Sequence, residues 1–216
     1  MELYDAMRCA PTSRRFTAEP VDRESIVRAL DTARFAPSGG NRQGWRVIVV
    51  TDPGTRRALR DLYLPHWRRY MEMTGGAQML AEPDAFEKKR TRMVRRANEY
   101  AEHLDEVPVH LVLGVQQADL VATDEALPRT SIVGGASVYP FAQNLLLALR
   151  GEGLGAAMTT LLVPAEAEVH ELLAIPPDVA LAAHIGVGHR ADPWPKQLAR
   201  RPVSEFAFAE RFGEPL

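Results

Sequence analysis

The chain of 216 residues carries 26 basic and 28 acidic side chains, a formal net charge of -2, with 46% apolar and 25% charged residues. That composition belongs to a globular domain large enough to bury a core without a metal staple, and it excludes a disordered tail, a collagen and a disulfide scaffold. The near-zero charge supplies no global field to gather nucleic acid or an anionic membrane, and the single cysteine, Cys9, excludes an intrachain disulfide and a cysteine-rich zinc site.

The opening MELYDAMRCA is amphipathic, with Leu3, Ala6 and Met7 on one helical face, and it lacks the unbroken apolar core of a secretory signal. A reduced, cytoplasmic setting is the expectation. Pro11, Thr12 and Ser13 break this helix. After Pro20-Val21-Asp22 a second helix is predicted over residues 23–36, with Ile26, Val27, Leu30, Ala33 and Ala36 at helical spacing. A Gly/Pro/Ser/Asn loop at 37–44 leads into WRVIVV (45–50), a short β-branched strand. Asp52-Pro53 starts a helix running to about Met73, and Gly75-Gly76 separates it from a charged helical stretch at 84–103.

VHLVLGV (109–115) is the second predicted strand, followed by a loop to about residue 129. Residues 132–149, IVGGASVYPFAQNLLLAL, are nearly apolar. A membrane-spanning helix needs about 20 mostly apolar residues. Ser137, Pro140, Gln143 and Asn144 interrupt this one and Arg150 closes it, so it reads as a long buried helix of a soluble protein. Apolar on all sides, it calls for burial on all sides, which a dimer core supplies more easily than a monomer. Pro140 is expected to kink it, at about 3 kcal/mol unless offset. Further strands are predicted at 156–163 and 179–187 (VALAAHIGV), with a short helix at 164–173 between them. The Arg- and Phe-rich tail from Trp194 has no clear periodicity. Alternating helices and strands argue a mixed α/β or α+β sandwich around one sheet.

Neither the GxGxxG nor the GxxxxGK[ST] phosphate-binding pattern is present, nor HExxH, nor a GxSxG elbow. The six histidines are scattered, and a metal pair at His184 and His189 is the weaker reading beside surface or core histidines. Three segments stand out. In Pro11-Thr12-Ser13-Arg14-Arg15-Phe16, hydroxyls and guanidiniums together suit a phosphate dianion, where the plainer reading is a helix cap with surface arginines. In APSGGNRQGW (36–45), Asn41, Arg42 and Gln43 crowd a tight loop, and amide groups can read the carbonyl and imide edge of a heterocycle. Gly153-Leu154-Gly155, followed by Met158-Thr159-Thr160, permits close approach of backbone to a ring, and Arg200-Arg201-Pro202 offers late cations to a phosphate site begun at Thr12.

These segments, in this order, resemble the FMN-dependent nitroreductase family over nearly the whole chain, apart from about residues 63–106. That family opens with an Arg-x-Ser-x-Arg/Lys-x-Phe run, then a Pro-Ser-x-x-Asn-x-Gln-x-Trp loop into a strand, then a glycine turn after a long helix and a late Arg-x-Pro run. The resemblance implies one domain over residues 1–216 with a lid or insertion at about 63–106. It implies an α+β sandwich, a central mixed sheet flanked by helices, and the long helix at a homodimer core. FMN would lie at the subunit interface, with NADH or NADPH reducing it and a small-molecule acceptor reoxidising it.

By the same resemblance Thr12 and Arg200, with Ser13 and Arg201 beside them, hold the phosphate. Arg14 lies near the ribityl chain and the pyrimidine O2. Pro37, Ser38, Gly39, Asn41 and Gln43 approach the ring from the partner chain, and Met158, Thr159 and Thr160 pass the N5 region. No catalytic acid or base is nominated, because the ring itself carries the chemistry. The family's first arginine falls on Ala10, and Arg8, about a turn earlier, is the candidate substitute. The proline after the glutamine is Gly44, and the acidic residue that some relatives carry near N5 is absent.

Three other readings keep the flavin or the fold: a flavin carrier or sensor without turnover, flavin destruction, and reductive dehalogenation. Lys88, Lys89, Arg90, Arg92, Arg95 and Arg96 form a basic run that reads as a solvated helix face balanced by Glu87, Glu99 and Glu102, or else as a lid for an acidic substrate or the NADPH 2′-phosphate. Trp67, Tyr70, Met71 and Met73 fit core packing at helical spacing, with an acceptor pocket as the alternative.

Overall fold

The apolar runs pair into one sheet in the computed structural model, which describes all residues, 1–216. β1 (Trp45–Val50), β2 (Val109–Gln116), β3 (Leu154–Thr159) and β4 (Val179–His189) lie in the order β1-β2-β4-β3, every neighbouring pair antiparallel. The central strands β2 and β4 are buried along almost their whole length, which is why they read as continuous apolar runs and not as alternating ones. The one parallel pairing is a bridge between Thr12 and Ala156, so the mixed character expected of the sheet is confined to it.

Seven helices cover the sheet: α1 (Leu3–Cys9), α2 (Arg23–Ala33), α3 (Pro53–Met73), α4 (Gly76–Ala81), α5 (Lys88–Glu102), α6 (Tyr139–Gly151) and α7 (Glu166–Leu173). Asp22 and Asp52 start α2 and α3 by accepting the backbone N–H of Ser25 at 3.1 Å and of Thr55 at 2.7 Å. Side chains of β2 alternate between faces. Val109, Leu111 and Leu113 share one core with Ile26, Ala29 and Ala33 of α2 and Phe141, Leu145 and Leu149 of α6. Val112 shares the other with Leu59, Tyr63 and Trp67 of α3, Tyr100 and Ala101 of α5 and Val169 of α7. Residues 63–106 therefore contribute to one of the two helical layers, together with the start of α3 and with α7. Within them Trp67 and Met71 are buried while Tyr70 and Met73 are exposed, as core packing at helical spacing requires.

α6 is shorter than the sequence suggested, 13 residues, with a single 3₁₀ turn at Gly134–Ser137 before it. Pro140 corrects the expectation of a kink: it stands in the first turn, where its missing N–H has no intrahelical acceptor to lose. Only one face of α6 is buried in the chain; Gln143 is exposed, and Leu146, Leu147 and Arg150 are half-buried. β3 ends at Thr159, so residues 161–163 are not strand: Thr160 turns the chain and Leu162 is buried from the turn. α4 follows Gly75, whose φ of +73 makes the reversal out of α3.

Candidate functional site

The N-terminal segment leaves α1 and runs beside the free edge of β3. The Ser13 N–H donates to the Ala156 carbonyl at 2.8 Å, and further on the Thr17 N–H donates to His189 and the Ala191 N–H to Arg15. Gly155 makes this approach possible, since a Cβ there would meet Ser13 Oγ at 2.7 Å and Ser13 Cβ at 2.9 Å. Ser13 is fully buried and its hydroxyl accepts from Arg190 Nη1 at 3.0 Å. It holds the segment from behind, leaving Thr12 exposed on one side of it.

Thr12 opens onto a cleft of about 270 Å³. The floor is apolar: Leu154, Ala156 and Met158 of β3 and Leu146 and Leu147 on the outer face of α6. Gln143, Arg150, Trp194 and Arg200 form the walls, and no aspartate or glutamate lines it. The tail reaches this place because the Leu198 N–H donates to the Arg8 carbonyl at 2.8 Å and because Trp194 lies under the Arg150 guanidinium, 3.7 Å from its ring centre. Arg8, Arg200 and Arg201 line an adjoining hollow of about 390 Å³. Thr12, Arg200, Arg201, Arg8 and Met158 are thus brought to one neighbourhood. Thr159, at the end of β3, accepts the Leu161 N–H at 3.2 Å, and Thr160 beside it is exposed.

Residues 37–43 are elsewhere. Pro37, Ser38 and Gly39 line a different hollow of about 450 Å³, with residues of the 119–123 and 133–137 loops. The Ser38 hydroxyl accepts the Gln43 N–H at 3.0 Å, Ser137 Oγ accepts the Gly39 N–H at 3.0 Å, and Gln43 Nε2 donates to Asn41 Oδ1 at 3.1 Å. Asn41 and Gln43 both have φ of +54 and Gly40 has +60. Left-handed backbone at two non-glycine residues costs about 1–2 kcal/mol each, and such strain concentrates at ligand sites. This loop shares no lining residue with the Thr12 cleft of the same chain.

Arg14 and Arg190 lie on the other side of Thr12, facing α5. Burial pulls the Arg190 guanidinium below its ordinary value; Asp192 opposes this, and the cations of Arg96 and Arg150 add to it. Burial raises the Tyr63 hydroxyl, while its bond to Thr159 and the charge of Arg14 lower it. His184 is fully buried against His110, their ring centres 4.8 Å apart, and His189 lies 3.8 Å from Glu19, so the two histidines considered as a metal pair sit in unrelated surroundings. No sequence motif marks Gln143, Arg150, Trp194 or Arg190 as a site residue. Arg190 follows directly on an apolar strand, and that position was the one available signal.

An acid-free cleft combining an apolar floor with a hydroxyl and guanidiniums fits a flat ring carrying a phosphate. The nitroreductase family model matches residues 11–189, and the chain belongs to the nitroreductase family. Among its relatives are an iodotyrosine deiodinase of Thermotoga neapolitana, 29% identical over 194 residues that cover 90% of this chain and 91% of the relative, and a 5,6-dimethylbenzimidazole synthase of Rhodospirillum rubrum, 29% identical over 208 residues, 93% and 82% of the two chains. A solved FMN and NADPH-dependent nitroreductase from Sphigopyxis sp. strain HMH shares the fold, with a TM-score of 0.70 at 20% identity over 98% of this chain and 100% of that one. No helix is long and apolar enough to cross a membrane.

Proposed function

We propose that the protein is an FMN-dependent oxidoreductase that uses NADH or NADPH to reduce a small organic acceptor, such as a nitroaromatic or a quinone, by a ping-pong mechanism. The observation that carries this reading is the acid-free cleft in which Thr12 and Arg200 converge over the apolar edge strand β3. Held by Thr12 and Arg200 over β3, FMN would supply the hydride-transfer chemistry between nicotinamide and acceptor.

The chain's own residues bind, orient and set the electrostatics. Thr12 donates a hydroxyl to the phosphate, and Arg200, with Arg201 and Arg8 beside it, neutralises the phosphate charge. Arg8 lines the same hollow as Arg200, which supports it as the stand-in for the arginine absent at Ala10. Ser13 takes a supporting place, pinning the segment to β3 through Arg190. Arg14, half-buried next to Thr12 on its α5 side, would supply the fixed cation for negative charge that develops on the ring on reduction. Met158, Thr159 and Thr160 pass the ring edge.

Pro37, Ser38, Gly39, Asn41 and Gln43 act on the ring of the other protomer in a homodimer. Their separation from the Thr12 cleft within one chain, and the half-exposed outer face of α6, support that assembly. Anaerobic stopped-flow mixing of the FMN-loaded protein with NADH and with NADPH tests the reading. Bleaching of the flavin followed by recovery with acceptor is expected; a flavin that neither nicotinamide reduces makes the protein a carrier or sensor.

The deiodinase and 5,6-dimethylbenzimidazole synthase among the relatives favour a second reading on the same fold, reductive dehalogenation or, as the family resemblance implies, flavin destruction. Product analysis of the reduced protein with nitroaromatics, quinones, halophenols and oxygen separates these reactions. Turnover of halophenols alone, or loss of the flavin itself under oxygen, supports the second reading.

A further inference from the structure

Lys89, Arg92 and Arg96 recur at spacings of three and four, which puts them on one face of α5. That face looks across a cleft of about 260 Å³ at Thr12, Arg14, Arg15, Arg190 and Asp192. The single acid is engaged, since Asp192 is paired with Arg15 at 2.7 Å. Arg14, Lys89, Arg92, Arg96 and Arg190 make no ion pair. Glu102 pairs with Arg68 at 3.6 Å, and Glu99 lines the neighbouring hollow with Arg14, Arg15 and Tyr100, not the cleft under Lys89, Arg92 and Arg96.

Lys89, Arg92 and Arg96, with Arg190 opposite, crowd positive charge around one small cleft, and a bound polyanion relieves their repulsion. Thr12 lines both this cleft and the one over β3, so the two anion-attracting places adjoin. FMN carries one phosphate, already assigned to Thr12 and Arg200. The α5 cleft is left for a different phosphate, and the reductant's adenosine end is phosphorylated. Guanidinium forks match such groups in geometry as well as in charge.

We propose that the cleft between α5 and residues 12–15 is a phosphate-dianion subsite for the 2′-phosphorylated adenosine end of the nicotinamide donor, so that the protein selects NADPH over NADH. This rests on the oxidoreductase reading above. The test is calorimetric titration of the FMN-loaded protein with adenosine 2′,5′-bisphosphate, adenosine 5′-monophosphate and inorganic phosphate. The bisphosphate should bind at least about tenfold tighter than either other anion. That gap should collapse in the double variant Arg92→Gln/Arg96→Gln and persist in Arg90→Gln/Arg95→Gln, which removes equal charge from the same helix outside the cleft. In turnover, the ratio of kcat/KM for NADPH to that for NADH should fall in the first double variant and hold in the second. Equal binding of bisphosphate and monophosphate, inorganic phosphate binding as tightly as the bisphosphate, or the same collapse in both double variants overturns the proposal. Failure of the chain to take up FMN is a separate result that refutes the cofactor reading, and the same titrations on the uncoloured protein still decide the subsite.

Discussion

Gly155→Ala tests how the site is held together. The new Cβ would lie 2.9 Å from Ser13 Cβ and 2.7 Å from Ser13 Oγ, with Arg190 Cβ at 3.3 Å. Carbon atoms settle at about 3.5–4.0 Å, so Ser13 has to retreat by about 0.6 Å. Rotation about its side chain gives no relief, because the Cβ is fixed to the backbone and the Oγ is bonded to Arg190. The backbone must move, and the Ser13 N–H bond to Ala156, now 2.8 Å, lengthens with it. Overpacking of this kind costs about 1–3 kcal/mol. For a domain of this size about 2 kcal/mol corresponds to a fall of roughly 4–8 °C in Tm. Thr12 moves with the segment, so FMN affinity should fall together with stability. Gly151→Ala is the control: nothing lies within 4 Å of its added Cβ, and removing a helical glycine should gain up to about 1 kcal/mol. Thermal melts and FMN titrations of both variants measure the pair. A Gly155→Ala protein with parental Tm and parental FMN affinity refutes the view that this glycine sets the position of Thr12.

Arg200→Ala should weaken FMN binding by at least about tenfold, the scale of a lost charge-assisted bond, while the flavin that remains is still reduced by nicotinamide; unchanged affinity by equilibrium titration contradicts the phosphate assignment. Burial holds His110 down at about 4 against the weaker opposing pull of the Leu104 carbonyl, and burial also pushes the neighbouring His184 down. Both histidines are neutral when folded and gain protons on unfolding below about 6.5, so stability is complete above that pH and drains away as pH falls toward 4. The urea midpoint should drop between pH 7 and pH 5, and His110→Leu should flatten that dependence; equal midpoints for the parent protein at both pH values refute it. Asp124 is held near about 2 by the Ile132 N–H, the Ser131 hydroxyl and Arg129, and its carboxylate closes the loop before α6. Its contribution is present above the ordinary carboxylate range and is lost as pH falls toward 2. Asp124→Asn should make residues 124–132 an early site of limited proteolysis at neutral pH, and an unchanged cleavage pattern counts against this role.

What the sequence revealed followed its local rules. Asp52-Pro53 marks the start of α3 to the residue, because a cap and a first-turn proline are local features. WRVIVV is β1 to the residue, because strong β-branching needs no tertiary context. The missed features depend on context. Pro140 reads as a break only if the helix begins before it, and the 3₁₀ turn at Gly134–Ser137 was not visible as a boundary. Leu161, Leu162 and Val163 continue the apolar run of β3, but their burial comes from a turn packed on α3 and α7. At the candidate site, Thr12 and Arg200, which line one cleft, were both legible as parts of motifs. Arg190 meets Ser13 across 177 residues of sequence, and no spacing rule reaches that far. The same holds for Trp194 beneath Arg150, and for α5, whose basic face gains meaning only opposite Arg14.

The most direct measurement is the visible absorption spectrum of the protein after incubation with FMN and removal of free flavin by gel filtration. A yellow protein whose flavin bands co-elute with a dimer, and whose colour is lost in Arg200→Ala, is the predicted result. A colourless protein in that fraction contradicts the central claim that Thr12 and Arg200 build a flavin phosphate cradle over β3.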